Sequence, residues 1–540
     1  MDFTRRDILV AGAAVAFASH AAEADPATDA PAGHVAERAS GHVLDAASRD
    51  PIPNAAVSNG RDVVLTDNEG GFSLPVRDGD SIFVIKPRGW MVPLEKGTNL
   101  PRCAVLHQPQ GTPAALDFRY PGVAPTGPLP DNIEFLLTRA DEPDKFNVLL
   151  CTDPQPETEA ELGYVRDTAV TLAAMEKAAF GITTGDVMFD DLSMYGRHNR
   201  LFGTLGLPWW NLPGNHDMNY EAPDDFLSKE TFKRLFGARH YAFQYGPATF
   251  IMLDNVEYLG GNKYRGRIGQ EQLGFVRAVL GVVPHDAPVI VCMHIPLRTA
   301  VGDEPFSATT DYQDFLALIG DRPNCISFSG HTHTNEHHYL GAAQHHHHVL
   351  TAVSGSWWSG PADMRGIPVA LASDGAPNGF HVLSIDGASC RTRLVSCEHP
   401  AGPPLRVVLD THFDRRTGEV ARALPMSALL GGTVTRDDLA SARLLVNFFV
   451  GGPRSSVRYA IEGGEPQALK PLLAIDPFVQ QVYWRNEASK KPWVHPVKST
   501  HLWEASLPPD LALGAHRCTI SAVDEFGVSC ETGFVVEVTS

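Results

Sequence analysis

Between Lys145 and His333, short apolar runs alternate with stretches of helical period, and each run stops at residues able to ligate a cation. FNVLL leads to Cys151-Thr152-Asp153-Pro154-Gln155, and FGITT leads to Gly185-Asp186. LPWWNLP leads to Gly214-Asn215-His216-Asp217, PVIVCM to His294, and CISFS to Gly330-His331-Thr332-His333. Apolar residues at helical spacing fill Glu157 to Ala178, Leu192 to Leu205, Gly269 to Leu280 and Asp311 to Ile319. Strands alternating with helices predict βαβ units and a mostly parallel central sheet. In such a sheet, ligands gather beyond the carboxyl ends of the strands. One Asp or His after a strand is ordinarily a turn residue or a helix cap. Five such ends in order, all offering oxygen or nitrogen donors, predict a single crevice that binds metal.

At 540 residues the chain exceeds one core, so several domains are expected. Residues 1–24 read as a signal peptide: Arg5 and Arg6 precede a mildly apolar run too short to span a bilayer, and Ala22-Glu23-Ala24 offers a cleavage site. The arginine pair resembles a twin-arginine signal, which implies a periplasmic or secreted protein exported already folded. Residues 25–40 are an Ala- and Pro-rich linker. Residues 41–140 alternate short β-branched runs with Pro, Asn-Gly and Gly-Gly turns, the pattern of a small β-sandwich, here read as packing or spacer. Residues 141–398 form the α/β part, in which strands with turns return after Val349, and residues 399–540 form a C-terminal β domain.

A formal charge of −19 argues against a nucleic-acid partner, which wants a basic face. No later run is long and apolar enough for a membrane span. Oligomeric state is not legible. Of the eight cysteines, Cys151, Cys292 and Cys325 lie in apolar runs and read as buried thiols. Cys390 with Cys397, and Cys518 with Cys530, are close enough in sequence to bridge a hairpin.

The series D-x-Q, GD, GNHD, H and GHTH across residues 153–333 resembles the calcineurin-like metallophosphoesterase superfamily, in a three-domain exported bacterial branch. The resemblance implies a four-layer αββα sandwich flanked by two small β domains. It also implies two divalent transition-metal ions. Asp153, Asp186 and His333 would hold one, with Gln155 nearby; Asp186, Asn215, His294 and His331 would hold the other. His331 and His333 would reach different ions from one turn. Two ions about 3.5–4 Å apart clamp the attacking and leaving oxygens of an in-line displacement at phosphorus. A metal-bridging hydroxide would attack, His216 would act as general acid, and Asp217 would orient that imidazole. Gly185, Gly214 and Gly330 would allow close approach of backbone to the ions.

Two positions depart from the family pattern. Gln155 stands where a histidine is usual, and Phe189 stands where purple acid phosphatases carry a tyrosinate, so no Fe(III)–Tyr centre is expected. An all-N/O ligand set suits Mn²⁺, Fe²⁺ or Zn²⁺ without choosing among them. The expected activity is hydrolysis of a small phosphate mono- or diester such as a nucleotide, a phospholipid head group or a sugar phosphate. The alternative is a non-catalytic envelope-binding protein with a structural metal site, which would have no need of His216.

Other features have plainer readings. His337 and His338 read as surface residues or supports behind the ligands. His345 to His348 read as a polar strand start at the surface, or as imidazoles lining the pocket. Trp209-Trp210 and Trp357-Trp358 read as core or interface residues, one of which could wall the pocket. Arg365 and Tyr220 are candidate phosphate contacts, and Asp190-Asp191 a helix cap.

Overall fold

The structure, a computed structural model, describes residues 37–411, 413–414, 419–420 and 431–540. The expected signal peptide and all but the end of the linker lie outside the described residues. Among these, no helix is long and apolar enough to cross a membrane.

The N-terminal part is the expected sandwich of two four-stranded sheets. One runs in the order Gly71–Pro75, Arg38–Asp45, Ile133–Arg139, Trp90–Met91, the other Val63–Leu65, Ala56–Ser58, Asp80–Ile85, Ala104–His107. Alternate residues such as Val43, Val57, Leu74 and Ile82 point inward, the period-2 pattern of a half-buried strand.

The middle of the chain has two sheets face to face. The first runs Trp209–Asn211, Phe180–Thr183, Lys145–Cys151, Gly379–Asp386, Ser389–Ser396. The second runs Tyr241–Tyr245, Ala248–Met252, Val289–Cys292, Cys325–Ser329, His345–Val349, Glu336–Leu340. Along Lys145–Cys151, Val148 and Leu150 face the core between the sheets, while Leu149 and Cys151 face outward. Leu162 and Val165 from the first helical region, with Tyr195 and Phe202 from Tyr195–Gly203, cover that outer face. Gly269–Gly281 and Tyr312–Ile319 cover the other sheet with Phe275, Val279 and Phe315. The result is the anticipated αββα order.

Three local expectations change. The two sheets keep a parallel centre but are mixed at their margins, because the hairpins Tyr241–Met252 and Gly379–Ser396 and the strand Glu336–Leu340 add antiparallel partners. The long helix after Gln155 begins at Glu159 and ends at Ala173, with a π-helical turn over Arg166–Val170. Neither proposed disulfide exists: all eight cysteines are free. Cys390 and Cys397 lie at the two ends of one strand region, roughly 20 Å apart at 3.3 Å per residue. Cys518 pairs with Phe534 while Cys530 pairs with Ala522, a register offset far beyond disulfide reach.

The histidine run is the largest surprise. His345–Val349 is an interior strand, hydrogen-bonded to Cys325–Ser329 on one side and Glu336–Leu340 on the other. It therefore lies inside the sheet and does not start a strand at the surface. His345 and His347 turn to one face, where Ser327 Oγ lies 2.8 and 2.7 Å from their ring nitrogens. His346 and His348 turn to the other, where His348 stacks on His337 at 4.0 Å and His346 on Tyr339 at 4.7 Å. A neutral imidazole with hydrogen-bonded nitrogens is cheap to bury, which is why this run can serve as core.

The C-terminal part packs a sheet of Leu405–Asp410, Arg443–Phe448, Lys498–Ser506 and Lys470–Ile475 against a second, five-stranded sheet. One helix, Pro477–Arg485, is capped by Asp476, whose carboxylate accepts from Phe478 N. The loop after it, residues 486–497, returns toward the α/β sandwich.

Candidate metal centre

Every expected metal donor lies at the carboxyl end of a strand of the two sheets, and the seven converge. Asp153 and Gln155 follow Lys145–Cys151, Asp186 follows Phe180–Thr183, and Asn215 follows Trp209–Asn211. His294 follows Val289–Cys292, and His331 and His333 follow Cys325–Ser329. Donor atoms of Asp186, His294 and His331 lie within 4.8 Å of one another. His294 Nε2 is 3.3 Å from Asp186 Oδ2, 3.1 Å from Asn215 Oδ1 and 3.2 Å from His331 Nδ1. On the other side of Asp186, Gln155 Nε2 donates to Oδ2 at 2.6 Å, and His333 Nε2 faces Asp153 Oδ1 at 3.5 Å.

The donors fit cations. Asp153 Oδ1, Gln155 Oε1 and His333 Nε2 are buried with no hydrogen-bond partner, a costly arrangement unless something else satisfies them. Each histidine is oriented by a backbone carbonyl on its other nitrogen. His294 Nδ1–H donates to Thr184 O at 3.0 Å, His331 Nε2–H to Phe306 O at 2.7 Å, and His333 Nδ1–H to Gly355 O. That leaves one lone pair per ring aimed into the cluster, the usual support behind metal-bound imidazoles. Five of the seven residues also hold left-handed backbone: Asp153 (φ 49°), Gln155 (φ 38°), Asp186 (φ 49°), His331 (φ 75°) and His333 (φ 53°). Such strain in non-glycine residues collects at functional sites.

Glycines let the loops come this close. A Cβ on Gly214 would lie 2.1 Å from Asp186 Oδ1, and one on Gly330 would lie 2.2 Å from Asp153 Oδ2. Gly214→Ala is therefore expected to push Asp186 aside and weaken metal binding by at least about tenfold, the scale of losses on disturbing ligand support. Metal content after dialysis against graded free Mn²⁺ would measure it.

Charges in the cluster shift one another. Burial works against the Asp153 and Asp186 anions, but His333 and His294 outweigh it, and both carboxyls sit below their ordinary range. Burial and the neighbouring His294 bring His331 down to about 4.

His216 sits beside this cluster. Its backbone N–H donates to Asp186 Oδ1 at 2.8 Å, and its Nδ1 lies 2.9 Å from Asp190 Oδ1. Although burial opposes the charge, Asp186 and Asp190 hold the imidazole at about 9. Asp190 also accepts from the Tyr220 hydroxyl, whose contact with Asn215 O at 2.6 Å ties this group to the metal loop. The expectation that Asp217 orients His216 needs correction. Asp217 turns into the protein, accepting from Val187 N, Met188 N, Gly214 N and Tyr195 Oη, and it braces the loops from behind. Its register in GNHD points it away from the ring, and Asp190 takes that place. Asp191, by contrast, does cap the next helical turn through Ser193 N.

A cavity of about 750 Å³ opens over the donors, lined by residues that include His216, Trp357, Phe306, Arg119 and Trp493. Trp357 stacks on His333 at 3.8 Å. Trp358 is buried with its indole N–H on Pro154 O, and Trp209 and Trp210 are core. Neither Arg365 nor Tyr220 reaches the cavity: Arg365 is exposed and paired with Asp363, and Tyr220 lies behind His216. His337 stacks among the strand histidines, and His338 pairs with Glu336. Sequence reasoning missed Asp190 and Trp493. Asp190, four residues after Asp186, carries the local pattern of a helix cap, and Trp493 comes from the C-terminal domain with no local signal.

The donors at the strand ends of this αββα sandwich form one crevice fit to bind divalent cations. Three family models match in succession: the N terminal of calcineurin-like phosphoesterase over residues 37–122, calcineurin-like phosphoesterase over 146–335, and the C terminal of calcineurin-like phosphoesterase over 347–529. The chain belongs to the calcineurin-like phosphoesterases, with their N- and C-terminal extension domains. Among solved structures it is similar to a dimetal phosphatase from Danio rerio, at 14% identity and TM-score 0.32, covering 46% of this chain and 98% of that one. It is also similar to a purple acid phosphatase from yellow lupin (Lupinus luteus) seeds, at 12% identity and TM-score 0.35, covering 64% and 68%. No curated protein matches the chain.

Proposed function

We propose that the chain is an exported phosphoesterase that uses two divalent cations to hydrolyse phosphate mono- or diesters. The observation that carries this reading is the pair of donor groups sharing Asp186, three of whose buried atoms lack a partner, beside the imidazole of His216. Asp153, Gln155, Asp186 and His333 would hold one ion, and Asp186, Asn215, His294 and His331 the other. Bound Mn²⁺, Fe²⁺ or Zn²⁺ would supply Lewis acidity to the phosphoryl oxygens and lower the pKa of the attacking water. His216, held by Asp190, donates a proton to the leaving oxygen. The cavity is far larger than a phosphate, which favours an ester with a sizeable organic part set against aromatic walls, as in a nucleotide, a phospholipid head group or a sugar phosphate. Export rests on Arg5-Arg6 and the apolar run after them.

The test is an assay of the purified chain with Mn²⁺ against p-nitrophenyl phosphate and bis-p-nitrophenyl phosphate. Hydrolysis of at least one is expected, abolished by chelator and restored by added metal. A metal-loaded protein inert toward both, and toward alkyl esters, would reject the reading.

A further inference from the structure

The imidazole of His216 belongs to a column of rings that crosses a domain boundary. It stacks on Phe189 with centroids 4.4 Å apart and planes at 19°, and Phe189 stacks on Trp493 at 5.8 Å and 10°. Trp493 belongs to the C-terminal domain. Its loop is fastened to the α/β sandwich at several points. Lys491 Nζ lies 2.9 Å from Glu157 and 3.1 Å from Glu161, and within 6 Å of the Phe189 and Trp493 ring centres. Val497 N donates to Ser373 O at 2.9 Å. Trp493 also packs on the apolar cluster of Leu371, Val482 and Tyr483, which Trp357, the ring stacked on His333, joins as well.

We propose that residues 486–497 are a working part of the active site, and that Trp493 is a positioning residue that holds the His216 ring, through Phe189, at the angle needed to protonate a leaving group. The C-terminal domain is then an obligatory partner of the chemistry. This rests on the phosphoesterase reading above. The physical case is simple. Asp190 fixes one edge of the imidazole, but a single hydrogen bond leaves the ring free to rotate about it. A stacked neighbour removes that freedom, and Phe189 can serve only while its far face is backed. Misplacement of a reacting group by about 1 Å can cost on the order of 100-fold in rate.

The test compares metal-loaded Trp493→Ala, Trp493→Phe and wild type on two phosphate esters that differ in leaving group, a p-nitrophenyl ester and an alkyl ester. A p-nitrophenolate departs without a proton, whereas an alkoxide needs one. Trp493→Ala is expected to lower kcat on the alkyl ester at least about tenfold more than on the p-nitrophenyl ester, within the range of general-acid effects, and Trp493→Phe to restore most of it. Equal losses on both esters, with metal content and Tm retained, would overturn the proposal. In histidine-labelled protein, the ring-current shift of His216 Cε1–H should change in Trp493→Ala and return in Trp493→Phe; an unchanged shift would also overturn it. If wild type hydrolyses neither ester, the phosphoesterase reading is what fails, and the shift still decides whether Trp493 holds the ring.

Discussion

His216→Ala is expected to lower turnover of an alkyl phosphate ester at least ~100-fold, and of a p-nitrophenyl ester much less, because only the former needs its leaving oxygen protonated. Asp190→Asn should reduce kcat in the same substrate-dependent way. An amide can still bond to Nδ1, but it cannot hold the imidazole charged as the carboxylate does. Asp217→Asn should behave differently. Its carboxyl, raised to about 6 by burial and by Asp186, accepts backbone N–H groups of three residues and the Tyr195 hydroxyl. Half of that acceptor capacity disappears with an amide, so the loss should appear in Tm and metal content before it appears in leaving-group dependence. Steady-state kinetics on the two esters, with metal content measured for each variant, decides this. Full turnover of the alkyl ester by His216→Ala would remove the acid role.

Acidification from pH 7.5 to 5 is expected to unfold the α/β sandwich steeply. Burial holds His345 at about 4, His346 and His381 at about 3, and His337, His347 and His348 well below their ordinary value. The charged groups facing them are Arg454 and Arg393, which oppose protonation. Glu336 serves His338, and Glu525 is engaged by Tyr339 and Ser455. The folded state therefore refuses protons that the unfolded chain accepts below about pH 6.5. Stability is whole above that value and falls as pH drops toward the folded pKa values. At pH 5 each such imidazole costs about 2 kcal/mol, from 1.5 pH units at 1.36 kcal/mol per unit. Even two or three of them form a large share of a stability of roughly 5–15 kcal/mol. Tm followed by circular dichroism across this range should fall by more than about 10 °C. The unfolding free energy should change with a slope above two protons. A slope below one would mean that these rings are already charged or solvated. His346→Phe should reduce the slope.

The candidate metal donors were legible because strand ends are punctuated: an apolar run followed, directly or through Gly, by Asp, Asn or His marks both where a strand stops and what it presents. That grammar located Asp153, Asp186, Asn215, His294, His331 and His333 without tertiary information. It failed where direction or distance matters. Asp217 is the immediate neighbour of His216 and Asp190 lies 26 residues before it, yet the turn of the Gly214–Asp217 loop, not closeness along the chain, decides which carboxylate meets the ring. The histidine run misled because polarity normally signals a surface. Ser327 and Ser329 on the neighbouring strand make these imidazoles acceptable inside, and that is a pairing the linear pattern does not reveal. Trp493 was invisible as a site residue because its relevance depends on how one domain leans on another.

The strand that carries Asp153 has a further consequence. Lys145–Cys151 lies between Phe180–Thr183, a short distance along the chain, and Gly379–Asp386, whose Asp386 is 241 residues from Lys145. While the polypeptide emerges from the ribosome, the early neighbour can pair at once, but the late one does not yet exist. Until it arrives, an apolar edge of the nascent sheet stays open, and closing so long a loop is slow. Such an edge invites pairing with other chains. Overproduction of fragments that stop before residue 379 should therefore yield aggregates, and a cell making this protein has reason to shield that edge until synthesis is complete.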